Sequence, residues 1–312
     1  MEGRPMSSSV LYDVPGPRAQ LRNRILGVVT LVLVAAVIGF VVWRFIDTGQ
    51  FSAAKWNVFS YSAIWERFGQ ATLATLAAFA VAAVGALVLG FILAIGRMSD
   101  HRWVRLPVGW VVELLRAVPV LVFMLLLYYG LPVIGIKMSS YWAVVIALIL
   151  YNGSVLSEVI RAGVEALPRG QSEAGYAVGL RKAGVMRLIL LPQAIRAMLP
   201  VIIAQLVVTL KDTALGFIIT YPELLYFARL LGSNGEYGSP LIPAAMVASV
   251  IYVAMCLALS YTAHRVELGL RRSPKGGNVA PAEPAGQTGT DTELIVAQRG
   301  LGKYDAGSGG GI

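Results

Sequence analysis

The run Ile25-Leu-Gly-Val-Val-Thr-Leu-Val-Leu-Val-Ala-Ala-Val-Ile-Gly-Phe-Val-Val-Trp43 holds 19 residues without a charge. At about 1.5 Å of rise per residue, a helix of that length crosses a hydrocarbon core of about 30 Å. Arg18, Arg22 and Arg24 precede it and Arg44 follows. A secretory signal would have a shorter apolar core and a small-residue cleavage site. This run ends on Phe40, Val41, Val42 and Trp43, which favours an uncleaved helix. Outward from it, five more apolar spans follow, at 71–96, 107–136, 141–160, 198–220 and 241–263. Backbone groups in lipid must bond internally, so spans this long read as helices, and the ten-residue alternation of a membrane barrel is absent. The expected fold is all-α, a polytopic membrane protein with about six transmembrane helices.

Composition agrees. Of the 312 residues, 57% are hydrophobic and 14% charged, about half the charged share of a soluble domain. Mean hydropathy is +0.70. This excludes a disordered chain, a collagen and a disulfide scaffold. The one cysteine, Cys256, has no intramolecular partner, and two histidines cannot build a histidine-rich metal site. No metal ligand set is expected. Net charge is +9. By loop, 19 Lys and Arg fall on one side of the predicted helices and 5 on the other, with Arg116 and Lys211 inside spans. This asymmetry puts both termini in the cytoplasm of a multi-pass plasma-membrane protein. Topology explains the basic charge, so no nucleic-acid partner is expected; membrane lipid is. Trp43, Trp103, Trp110, Tyr141, Trp142 and Tyr221 fall near span ends, where amphipathic rings sit. Residues 273–312, with ten Gly and three Pro, cannot bury a core and read as a disordered cytoplasmic tail.

The longest cytoplasmic connection is too apolar for a solvated linker. It runs Glu165-Ala-Leu-Pro-Arg-Gly-Gln-Ser-Glu173-Ala-Gly-Tyr-Ala-Val-Gly179 and on to Leu188-Ile-Leu-Leu-Pro192-Gln-Ala. Ser172 is placed to cap a short helix beginning at Glu173, and Gly179 to stop it in the left-handed region. Ala174, Gly175, Ala177 and Gly179 are small, so another surface can approach the backbone closely. Two readings stand: docking of a soluble partner, or a helix lying on the membrane.

Glu173-Ala174, Gly179 and Ile189-x-Leu191-Pro192 resemble the EAA loop of the permeases of binding-protein-dependent ABC importers, with Gly175 in place of the third-position alanine. Glu113-Leu-Leu-Arg116-Ala-Val-Pro119 resembles the ELxRGTP motif of the polar amino-acid branch, with Ala117 and Val118 for Gly and Thr. Ala162-Gly-Val-Glu165-Ala-Leu-Pro168-Arg-Gly170-Gln171, Leu191-Pro192-Gln193-Ala194-Ile-Arg196 and Leu210-Lys211-Asp212-Thr213-Ala214-Leu215 match as well. The opening Val10-Leu-Tyr-Asp-Val-Pro-Gly-Pro17 is similar to glutamate-type permeases. The resemblance implies a type I ABC importer permease fold. It covers 71–272 and implies there a transport domain with five helices and a coupling loop near 165–192. Outside it, the apolar run, the charge count and the composition give a cytoplasmic segment 1–24, an extra helix 25–43, an external loop 44–70 and the tail 273–312. Coupling to an ATPase dimer falls on Glu173, Ala174, Gly175, Gly179 and Pro192. The other implied partners are a second permease, either a sister subunit or another copy of this chain, an extracytoplasmic solute-binding protein and a polar amino acid, glutamate or another acidic one. ATP and Mg belong to the ATPase, and this chain binds no cofactor.

Charges within the membrane need partners or water. Glu113 and Arg116 are three apart on one helix face, and Glu158 and Arg161 repeat the spacing. They read either as an inner-gate network or as static ion pairs. Lys211 lies 13 residues beyond Met198, roughly 20 Å along a helix, toward the outer side. With Asp212 and Thr213 it either meets a substrate carboxylate in the translocation path or fixes helix packing. No G-x-x-x-x-G-K-[ST] is present, so the chain cannot cradle ATP phosphates in that way, and no catalytic residue is expected. The enzyme alternative, an intramembrane serine protease using Ser154 and His264, sets its two residues at different depths. The transport alternative is an ion- or proton-coupled secondary transporter, which has no reason to carry the loop from Glu173 to Pro192.

Overall fold

The structure, a computed structural model, describes residues 16–271, and among these it holds helices and turns but no strand. The tail 273–312 and most of the segment 1–24 lie outside the described residues. The 19-residue apolar run sits inside α1 (Pro17–Asp47), whose first residue, Pro17, fits a first turn that needs no N–H. No residue of α1 is buried against the rest of the described chain. A short helix α2 (Ala53–Trp56) and a 3-10 turn (Asn57–Ser60) lead into α3 (Ser62–Arg97). The loop expected over 44–70 is therefore largely helical. Glu66 and Arg67 lowered its apolarity, yet they extend α3 beyond the hydrocarbon run.

α3 and α6 (Ser140–Glu165) form the central pair. Small residues make their crossing close. A Cβ on Gly90 would stand 2.8 Å from Leu156 Cβ and 3.0 Å from the Gly153 carbonyl oxygen. One on Gly153 would meet Leu89 at 3.0 Å. Ala71, Ala78, Ala82 and Ala86 continue a buried stripe along α3. Without a hydrophobic drive between helices in lipid, such small faces supply the contact. Asn152 is fully buried in α6, and its amide oxygen accepts a 2.8 Å bond from Gln205 of α9 (Leu191–Asp212).

The span expected as one helix over 107–136 is broken. α4 (Arg102–Ala117) and the segment 120–134, which opens as α5 (Val120–Leu125), meet at 94°. Pro119 is the cause. Its ring excludes the helical conformation at the preceding residue, and Val118 is extended at φ −87°, ψ 124°. α4 consequently crosses the ends of α3 and α6, with Val108 against Gly96.

Beyond α6 come α7 (Arg169–Ala177), α8 (Lys182–Val185) and a π turn (Met186–Leu190) that leads into α9. α9 gives way to 3-10 turns over Thr213–Ile219, then α10 (Leu224–Gly232) and α11 (Leu241–Arg271). Five of the described helical runs are long and apolar enough to span a membrane, or six if the bent pair is one.

Candidate functional site

α7 begins at Arg169, directly after Pro168, four residues before the start expected at Glu173. Proline presets the turn, and Ser172 is left inside the helix with its hydroxyl donating to the Arg169 carbonyl at 2.8 Å. The stop falls where the sequence placed it. Gly179 stands at φ +82°, its N–H bonds the Tyr176 carbonyl at 2.9 Å, and the Leu180 N–H bonds the Gly175 carbonyl at 3.1 Å. That pair of bonds is a Schellman closure, which suits glycine at the left-handed position.

The helix has two faces. Gly175 is buried, and a Cβ there would press within 2.9 Å of Val185 and Ile189. Gly175 therefore packs inward rather than joining the outer surface, and glycine rather than alanine lets α7 lie against α8 and the π turn. Glu173, Ala174, Ala177, Val178 and Gly179 are exposed. Val178 is 76% exposed, so the outer face is small, partly apolar and uncovered. Pro192 is also exposed, in the first turn of α9.

At the same end of the molecule the two sequence-predicted ion pairs join into one network. Arg116 Nη1 lies 3.9 Å from Glu113. Arg161 holds Glu158 through Nε at 3.2 Å and through a second guanidinium nitrogen, and reaches Glu165 at 2.5 Å. Arg97 links the pairs, at 3.3 Å from Glu113 and 2.9 Å from Glu158. Sequence reasoning counted Arg97 as a loop cation, because it lies just past an apolar span and 16 residues before Glu113. A cavity of about 410 Å³ opens beside the network, lined by Arg97, Arg105, Trp110, Glu113, Arg161 and Glu165.

The residues of the expected path stand at the far end of α9, about 30 Å from Leu191 at helical rise. Lys211 is exposed and makes no hydrogen bond or ion pair among the described residues. Asp212 is half-buried, and Thr213 is buried with its hydroxyl donating to the Leu210 carbonyl at 2.6 Å. Close by, a polar clamp was missed. Glu223 is fully buried and caps α10, accepting from the Leu225 and Tyr226 N–H groups at 2.8 and 2.6 Å and from the Tyr252 hydroxyl of α11 at 2.7 Å. The signal was an acidic residue two ahead of Leu225, in a stretch too short to read as a span.

The protease pair does not form a catalytic arrangement. The buried Ser154 donates to the Tyr151 carbonyl at 2.6 Å, while His264 faces Glu267 on its own helix at 3.5 Å.

A bundle of helices long and apolar enough to span a membrane, with a small-faced helix and an ion network joined across helices at one end, is the build of a membrane permease. Residues 86–267 match the profile of the binding-protein-dependent transport system inner membrane component, and the chain belongs to that family. This membership removes the secondary-transporter reading. The glutamate transport system permease protein GluD of Corynebacterium glutamicum is 36% identical over 241 residues, covering 76% of this chain and 87% of that one. The arginine transport system permease protein ArtQ of Bacillus subtilis is 32% identical, covering 63% and 89%. Among solved structures, an amino acid ABC transporter crystallised with histidines is similar at 28% identity and a TM-score of 0.61, covering 68% of this chain and 97% of that one. An inward-facing methionine ABC transporter shares the fold at 16% identity and a TM-score of 0.58.

Proposed function

We propose that this subunit forms the translocation path of an ATP-driven amino-acid importer whose substrate is glutamate or another acidic amino acid. An ATPase dimer docks on the exposed face of α7, a solute-binding protein delivers substrate at the opposite end, and a second permease completes the path. The observation that carries the coupling role is the outer face of α7: Glu173, Ala174, Ala177 and Val178 uncovered, on a helix stapled from behind through Gly175 and ended by Gly179. The ATPase binds ATP with Mg and hydrolyses the ATP. Nucleotide binding draws the coupling helices together, and the path opens to one side and then the other. This requires that the partners bind the two states with different affinity. The network of Glu113, Arg116, Glu158 and Arg161, joined by Arg97, closes the cytoplasmic end in one state. Lys211, with Asp212 and Thr213 beside it, receives the substrate carboxylate. The acidic preference rests on the likeness to the glutamate permease.

The test is uptake of labelled glutamate, glutamine and arginine into proteoliposomes holding this chain with its second permease, ATPase and solute-binding protein. Uptake of glutamate that needs ATP and the binding protein, and that unlabelled glutamine and arginine fail to compete, is expected. Uptake driven by an ion gradient without ATP would overturn the reading.

A further inference from the structure

Outside the ion network, one cation ties two distant parts of the chain together. Lys182 opens α8, three residues after Gly179. Its ammonium donates to the Met98 carbonyl at 3.2 Å and to a carboxylate oxygen of Asp100. Met98 is the C-cap of α3, so a cation here also meets the negative end of that helix. Asp100 precedes His101, the N-cap of α4. Lys182 thus grips the corner between α3 and α4 from the connection that carries α7. The path on either side is short and packed. On one side Gly175 of α7 lies against Val185, and the Schellman closure passes the chain from Ala177 to Lys182 in five residues. On the other, Arg97, the residue before Met98, is the link of the ion network.

We infer that Lys182 is a positioning residue that transmits movement of α7 to the α3–α4 corner and so to the Arg97–Glu113–Glu158 network. The inference rests on the reading of α7 as the ATPase-docking helix. The pair is poorly placed to serve stability alone. The Lys182 and Asp100 side chains are 42% and 71% exposed, and an exposed ion pair of this kind adds little to folding. A cation that contributes little to folding yet spans 84 residues of sequence to hold a helix end is suited to carrying motion. When α7 shifts, the ammonium pulls the Met98 carbonyl and Asp100 with it, and α4 turns about the break at Pro119. Arg97 then moves relative to Glu158 on α6.

The test uses the full complex of this chain with its ATPase and binding protein in proteoliposomes. Transport per ATP hydrolysed is measured for Lys182→Met, Asp100→Asn, the single reversals Lys182→Asp and Asp100→Lys, and the double reversal, with Ala174→Trp as a docking control. The strut predicts that Lys182→Met keeps the ATPase bound and hydrolysing while transport per ATP falls at least about fivefold, the low end of a coupling between sites. Asp100→Asn falls less, because the Met98 carbonyl remains gripped. The double reversal recovers coupling above either single reversal, which a merely structural role would not produce at unchanged melting temperature. Wild-type coupling in Lys182→Met, with the ATPase lost in Ala174→Trp, overturns the strut and leaves the docking surface standing. Loss of the ATPase in Lys182→Met also overturns it, since the residue would then belong to the docking site. Full coupling in Ala174→Trp removes the docking surface and the strut with it.

Discussion

Two single side chains carry predictions that differ in kind. The Lys182 ammonium beside Asp100, through its hydrogen bond and its charge, holds that carboxyl below the usual aspartate range. A group depressed on folding contributes above its unfolded value, about pH 4, and loses that contribution as pH falls through the folded one. Melting of the solubilised complex from about pH 6 down to about pH 3 should therefore show a small wild-type advantage over Asp100→Asn that holds above about pH 4 and shrinks as pH falls below it. An advantage that instead grew toward acid would contradict the pairing. Lys211 is tested through transport. If its ammonium meets the substrate carboxylate, Lys211→Met loses a charge-assisted hydrogen bond of about 1.5–3 kcal/mol, roughly ten- to over a hundredfold in half-saturation. A stable Lys211→Met complex with unchanged half-saturation and maximal rate would leave Lys211 no place in the path. Both residues were visible in the sequence as charges, but only Lys211 drew attention there. An intramembrane cation is costly enough to stand out, while Lys182 looked like one more cytoplasmic loop cation.

At the scale of helices, the small residues differ sharply in what they do. Gly90 sits where α3 crosses α6, and Gly27 of α1 has open space around it. Gly90→Val should therefore cost about 1–3 kcal/mol through overpacking, read as a lower melting temperature, while Gly27→Val should leave melting unchanged. Equal effects would contradict the crossing. Helices were legible because an apolar run of about 20 residues has few other uses, and the stop of α7 was legible because Gly179 supplies a conformation other residues resist. The start of α7 was misread: Ser172 and Glu173 carry capping chemistry, but Pro168 ends the preceding turn first. The 94° break was misread because apolarity alone does not report direction, although Pro119 was in view. Arg97 was illegible because its partners lie on other helices, and crossing geometry, not spacing, brings them together. The cap that Glu223 gives α10 is local, but its bond from Tyr252 of α11 depends on the same kind of crossing.

For the whole molecule, charge asymmetry predicts an orientation that labelling can test. A cysteine placed at Ser52 should react with an impermeant thiol reagent in intact cells, and one at Ser172 should react only after permeabilisation. Reaction at Ser172 in intact cells would invert the topology and put α7 out of reach of a cytoplasmic ATPase. The coupling role of α7 and the Lys182 strut both depend on one premise, that the outer face of α7 is where the energy-supplying subunit binds. Ala174 offers the cleanest probe, since it is exposed in mid-helix, free of the backbone demand at Gly179 and of the packing at Gly175. The deciding measurement is the amount of ATPase that co-purifies with Ala174→Trp relative to the wild-type chain, at matched permease yield and melting temperature. The account predicts that the permease inserts and melts as wild type but loses the ATPase, and transport with it. Full ATPase retention with undiminished transport would show that energy enters this permease elsewhere.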